Sequence, residues 1–215
     1  MEEMEKSSKL NGVMSKRGGT QATQRARAEE TRTVLLQTGR RMFGEIGFHG
    51  SGTVALVKQA KVTSGALYHH FPDKKALFEA VFLDVLIELQ GAAEAEARNK
   101  LTRWDRILSA FDNYLSMVES SREFQQIVLI EGPAVLGWVH WRDLVSKHVT
   151  ARITKTLHLL MEDGAIEEQP AEPIANLLQG ALNEAALSIA HAPNPHRAKT
   201  DVSSAFKRML AGLRC

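Results

Sequence analysis

One cysteine, Cys215, stands in 215 residues, and it is the last of them. A lone thiol cannot build a disulfide framework, so the chain reads as a protein of a reducing compartment, expected to be cytoplasmic, and the thiol as incidental rather than nucleophilic. Long hydrophobic runs are missing too. Each is broken by charge before the ~18–20 residues a membrane span needs, and the opening MEEMEKSSKLNGVMSKRGG holds no apolar stretch of a secretory signal. The chain is expected to be neither exported nor membrane-embedded. No nucleophile elbow, phosphate-cradling glycine loop or metal-spaced His/Cys set is present, so no enzymatic activity, cofactor or metal is expected. Strand-like alternation is absent as well, which leaves an all-α fold.

A strong overall charge is also lacking, the net being +2, but its distribution is uneven. Residues 1–82 carry 13 Lys/Arg against 8 Asp/Glu, and residues 83–215 carry 14 against 17. A basic front on a mildly acidic back is the asymmetry expected when only the front meets a polyanion.

What is present is helical periodicity, in about nine helices. Residues 1–26 are polar and basic and read as a flexible arm, with a minor-groove role open for Arg25 and Arg27. From Ala28, the stripe Val34, Leu35, Thr38, Met42, Phe43 and Ile46 makes a first helix ended by Gly47. Thr53 can cap a short helix with Val54, Leu56, Val57 and Ala60, Lys61-Val62-Thr63 makes a tight connection, and Ser64 to Phe71 is stopped by Pro72. Asp73 is placed to cap a long fourth helix. The domains expected are the arm, a helix-turn-helix over 27–73, and an all-α body over 74–215.

Two short amphipathic helices joined by a tight turn and braced by a longer one can lay the second in a DNA major groove. Thr63, Ser64, Gly65 and Ala66 are small enough for a phosphate to approach their N–H groups. Tyr68 and His69 project one turn later, able to reach phosphates or base edges. Lys74 beside a positive helix end calls for an anion opposite, a role a phosphate could fill. His69 and His70 point about 100° apart and do not chelate together.

Residues Val62-Thr63-x-Gly65-Ala66-Leu67-Tyr68-His69-His70-Phe71-x-x-Lys74-x-x-Leu77-Phe78, preceded by Phe43-x-x-x-Gly47-Phe48 and Thr53, resemble the DNA-binding domain of the TetR family of bacterial regulators. The resemblance spans roughly 50 residues. It implies a homodimer reading palindromic double-stranded DNA, a body that shifts the reading helices when a small-molecule effector binds, and DNA contacts at Thr53, Thr63, Ser64, Gly65, Tyr68, His69, His70 and Lys74. The family usually places glycine in the turn where this chain has Lys61. If that backbone is left-handed, lysine costs about 1 kcal/mol there, or offsets the strain by touching phosphate. Val54 stands where some members place a base-reading arginine, so no operator sequence carries over.

In the body, Trp104, Phe111, Tyr114, Phe124, Trp138 and Trp141 are candidates to line an effector pocket, opened by a break at Gly132-Pro133. The last two helices are broadly apolar, and the resemblance implies that they pair with their symmetry mates. Leu178, Ala181, Leu182, Ala185, Ile189, Phe206, Met209 and Leu210 are the candidate dimer interface, interrupted by Asn183 and Glu184, which need partners if buried. The alternative is a DNA-binding regulator without an effector, controlled by a protein partner or its own level. An enclosed cavity beside the tryptophans favours the first reading and a solidly packed body the second.

Overall fold

The computed structural model describes residues 2–97 and 102–214. Helices α1 (Glu2–Gly50), α2 (Thr53–Ala60), α3 (Ser64–His70), α4 (Lys74–Ala97) and α5 (Arg103–Ser120) come first. A sixth rod joins α6 (Arg122–Phe124), a π-helical turn π1 (Gln125–Glu131) and α7 (Gly132–Leu136); a seventh joins α8 (Trp138–Val145), π2 (Ser146–Thr150) and α9 (Ala151–Glu162). Helices α10 (Ala171–Ala190) and α11 (Pro195–Ala211) complete nine rods among the described residues, where the only β pairing is an isolated bridge from Ile166 to Arg214. None of the described helices is long and apolar enough to cross a membrane.

Two boundaries differ from expectation. The segment 1–26, expected as a flexible arm, is helical backbone from Glu2 onward and continuous with α1. No proline precedes Pro72 to stop a helix there. Met1 and the side chains of residues 2–22 lie outside the described residues, whereas Arg25 and Arg27 are exposed. The second difference is the break expected at Gly132-Pro133. Proline lacks the N–H that an α-helix needs, and the wider turn π1 immediately before Pro133 is the kind of adjustment that carries a rod through such a point. The interruption falls instead at Gly137, at φ +86°.

The helix-turn-helix has a core of Leu35, Phe43, Leu56, Leu67, Phe71, Leu77 and Phe78, all buried. Phe43 and Phe78 meet edge to face with centroids 5.3 Å apart, and Phe78 meets Phe48 in the same way at 5.5 Å. Each such side chain contributes about 1.5–3 kcal/mol by leaving water. This core runs without a gap into that of the body, because α4 belongs to both.

Polar contacts join the helix-turn-helix and α4 to the body. Arg40 on α1 holds Glu123 on α6 at 2.7 Å and also Glu88 on α4, while a Cβ on Gly44 would stand 2.9 Å from Glu123 Cγ. Nearer the DNA-reading end, Glu79 on α4 pairs with His140 on α8 at 3.0 Å.

Candidate nucleic-acid interface and ligand cavity

Helix α3 begins where Thr63 turns extended and its hydroxyl accepts the Ala66 N–H at 3.1 Å. That cap rotates Leu67 into the core and leaves Thr63, Ser64, Gly65, Tyr68 and His69 on the exposed side. Tyr68 is 52% exposed, a high value for an aromatic ring on a short helix. His70 is half-buried, edge to face with His69 at 5.2 Å and 6.4 Å from Phe71. Gly65 has nothing closer than 3.8 Å to the place a Cβ would take, so packing within the chain does not require glycine there. Thr53, expected to cap α2, is instead its first residue, half-buried, with Gly52 at the cap position and no side-chain cap hydrogen bond; Val54 beside it is exposed. Together these residues form a continuous small and polar surface.

Lys61 is the left-handed turn residue, with φ 55° and ψ 37°, and its N–H closes α2 onto the Lys58 and Val57 carbonyls. Among the described residues it is the only non-glycine at positive φ. Its side chain is exposed and meets nothing that would offset the backbone cost. Lys61→Gly is expected to stabilise the chain by about 1 kcal/mol and to raise the melting temperature by about 2–4 °C, as followed by circular dichroism. A fall in melting temperature would show that the left-handed lysine carries no strain.

Lys74 finds a neutral partner inside the protein rather than an anion. Its Nζ donates to the Phe48 carbonyl at 2.8 Å and lies 4.0 Å above the Phe48 ring. A cation at the start of α4 is thereby also a cation at the end of α1, where free carbonyls favour it. The Asp73 carboxylate caps α4, accepting the Ala76 N–H at 2.7 Å. This bracing role of Lys74 escaped the sequence reading because its partner is a backbone carbonyl 26 residues away.

The body holds a half-open cavity of about 660 Å³. Trp104, Phe111, Tyr114, Phe124 and Trp141 line it as expected, and burial pushes the Tyr114 hydroxyl above a tyrosine's ordinary range, so it stays protonated. Trp138 does not line it and is 60% exposed. It is the first residue of α8, just past the turn at Gly137, and only the later Trp141, Leu144 and Val145 of that helix reach the core. Polar lining residues that aromatic spacing did not flag are Arg103, Arg106, Arg152, Thr156, Gln179 and Asn183. Asn183 had been noted as an interruption needing a partner, and that partner is Gln179, whose Nε2 donates to Asn183 Oδ1 at 3.0 Å.

The interface expected of the last two helices also needs correction. Leu178, Ala185, Ile189, Phe206 and Leu210 are buried within the chain itself, and Leu178, Leu182, Phe206 and Leu210 line the cavity. Phe206 stacks on Phe111 with centroids 3.9 Å apart. Apolar breadth marked these helices as buried on more than one side but could not tell the side facing home from the side facing out. Of the expected set, Met209 is exposed and Ala181 half-buried; Leu177, 75% exposed, is the largest apolar side chain on the outer face of α10.

Comparison with known proteins agrees with this geometry. Residues 35–81 match the family described as bacterial regulatory proteins, tetR family, and residues 104–213 match the tetracyclin repressor-like C-terminal domain. The TetC protein of transposon Tn10 from Escherichia coli is 26% identical over 167 residues, covering 77% of this chain and 82% of that protein. A TetR-family transcriptional regulator from Pectobacterium atrosepticum superposes with a TM-score of 0.77 at 33% identity, covering 88% of this chain and 97% of that one. RolR, solved in complex with resorcinol, shares the fold at a TM-score of 0.68 and 17% identity, over 86% of this chain and 89% of that one. With an exposed recognition helix at one end, an all-α cavity-bearing body at the other and both halves matched, the chain belongs to the TetR family of DNA-binding transcriptional regulators, which are not enzymes.

Proposed function

We propose that the chain is a homodimeric repressor whose two α3 helices read an inverted-repeat operator and which a small-molecule effector releases. The observation that carries this reading is a shared wall. Leu86 of α4, Phe124, and Val128 and Leu129 of π1 line the cavity, and the same α4 and the same rod pack against the helix-turn-helix. An occupant that moves these walls changes the angle and spacing of the recognition helices; a coupling of 1–3 kcal/mol, about 5–150-fold in operator affinity, is the usual scale. RolR with resorcinol is a precedent for a small molecule bound by a protein of this fold.

The DNA-facing set is Thr53, Lys61, Thr63, Ser64, Gly65, Tyr68, His69 and His70, while Lys74, expected among them, braces the recognition unit through the Phe48 carbonyl. For the dimer, Leu177, Gly180, Ala181 and Glu184 run down the outer side of α10 at helical spacing, and Val202, Ala205 and Met209 down that of α11. These two stripes lie side by side, small enough for a symmetry mate to approach and apolar enough to favour it.

Sedimentation tests the dimer and DNA selection tests the operator. The full chain is expected to sediment as two copies and Leu177→Glu as one, with selection from random duplexes returning an inverted repeat that Leu177→Glu binds at least about tenfold more weakly, since half the recognition surface is lost. A single-copy native protein or a site without two-fold symmetry would overturn this reading.

A further inference from the structure

The exposed side of α2 bears on which base the protein reads, an inference that rests on the DNA binding of the family and on neither the dimer nor the effector. From Ile46 to Pro72 the chain has no aspartate or glutamate, so nothing anionic on α2 or α3 opposes a phosphate backbone. Within α2, Leu56 and Ala60 turn into the core, with Thr53 and Val57 half-buried beside them. Val54 and Lys58, four residues apart, share the opposite, exposed side, and exposed Lys61 follows in the turn that leads into α3.

Nothing inside the chain accounts for the valine. Its side chain is 79% exposed and adds little to the core. A β-branched residue is also a poorer helix former than alanine or lysine. Gly52, two residues earlier, has nothing within 4 Å of the place a Cβ would take, so the start of α2 is open to close approach. An apolar tip thus stands beside two lysines on the side of the helix-turn-helix that is continuous with the start of α3.

These residue types divide a contact with DNA between them. Lysines suit the phosphates along the groove. Valine has no donor or acceptor and cannot read the hydrogen-bonding pattern of a base pair. Among the four bases only thymine offers an apolar group in the major groove, its C5-methyl. Bringing that methyl and the valine methyls out of water together is favourable, whereas an amino group in the same place would lose water and gain no partner.

We propose that Val54 is a specificity-determining residue that packs against the 5-methyl of a thymine in the operator, while Lys58, together with Lys61, neutralises the phosphates beside it.

Uracil scanning tests this on a duplex recovered by selection from random sequence. Each thymine in turn is replaced by uracil, which pairs in the same way and lacks only the 5-methyl, and binding of the full chain is followed by fluorescence anisotropy. At one position the native protein is expected to lose about fourfold in affinity per methyl removed, the worth of one buried methyl group. In Val54→Ala that penalty is expected to vanish while penalties at other thymines stay, because only the partner of that methyl has been removed. The variant is expected to keep its melting temperature, since the side chain is exposed, and its salt dependence, since no charge changes. Lys58→Ala is expected to show the reverse pattern: the slope of log affinity against log salt falls by about 0.9 for each phosphate released, and the uracil penalty remains. The proposal is overturned if uracil weakens the native protein at no position, if Val54→Ala keeps every native penalty, or if Lys58→Ala leaves the salt slope unchanged. A selected site without two-fold symmetry would overturn the dimer reading and leave this contact standing, so the two fail separately.

Discussion

Replacing Gly47 with alanine is expected to lower the melting temperature by about 6–12 °C, which corresponds to about 3 kcal/mol in a chain of this size. Two penalties add. The backbone there has φ 72° and ψ 173°, a region essentially reserved for glycine, and forcing a side chain into it costs about 1–3 kcal/mol. The new Cβ would also stand 2.5 Å from Glu131 Oε1, so the carboxylate must swing away and surrender the hydrogen bond it accepts from Gln126 Nε2 at 3.1 Å. That bond and the repacking account for roughly 1 kcal/mol more. A double variant separates the two parts. Glu131→Ala in the Gly47→Ala background is expected to recover the steric share and leave the backbone share in place. If Gly47→Ala unfolds at the native temperature, the backbone at Gly47 does not hold the positive-φ conformation described. The site matters for function as well as stability, because Gly47 kinks α1 three residues before its end, on the way to α2, while Glu131 ends π1, the turn whose Val128 and Leu129 line the cavity. Operator affinity is therefore expected to fall in Gly47→Ala even at temperatures where the protein is fully folded.

The parts of the molecule legible in the sequence are those whose cause is local. The break of the first helix at Gly47 and the cap that Asp73 places on α4 follow from the conformational limits of single residues and their neighbours, whereas the cap expected of Thr53 does not form and Gly52 stands at that position. The exposed positions on α3 follow from helical spacing once Leu67 is placed in the core. What escaped depends on contacts between distant segments. Lys74 donates to the Phe48 carbonyl, and nothing about a lysine at the start of a helix identifies a carbonyl from the end of an earlier one. Trp138 and Trp141 stand one turn apart with rings 5.1 Å from each other, yet one faces solvent and the other the cavity. Only the placement of α8 against its neighbours decides between them. Arginine and glutamine read as surface residues in a sequence, so the polar part of the cavity lining gives no periodic signal. For α10 and α11, an apolar stripe wider than one face announces two buried sides without ranking them.

That ambiguity leads to the second large effect, at Phe206. As a member of the dimer interface, Phe206 would lose the partner chain on truncation while the protomer kept its fold. Its actual surroundings give the opposite expectation. The ring is 8% exposed, stacked on Phe111 at an interplanar angle of 11°, and it forms part of the cavity wall. Phe206→Ala removes a buried aromatic from a site that cannot close up, since one side is already empty space. The cost of such truncations is about 3–5 kcal/mol; the lower end applies here, because the ring contacts protein on the Phe111 side and open volume on the other, and a fall of about 6–12 °C in melting temperature follows. Sedimentation of the folded fraction is expected to show an unchanged assembly state, in contrast to Leu177→Glu. The two variants thus exchange readouts, with Phe206→Ala losing stability and keeping its partner, and Leu177→Glu losing its partner. A Phe206→Ala protein that becomes a monomer with its melting temperature intact would place the ring against a second chain and return the original interface to α11.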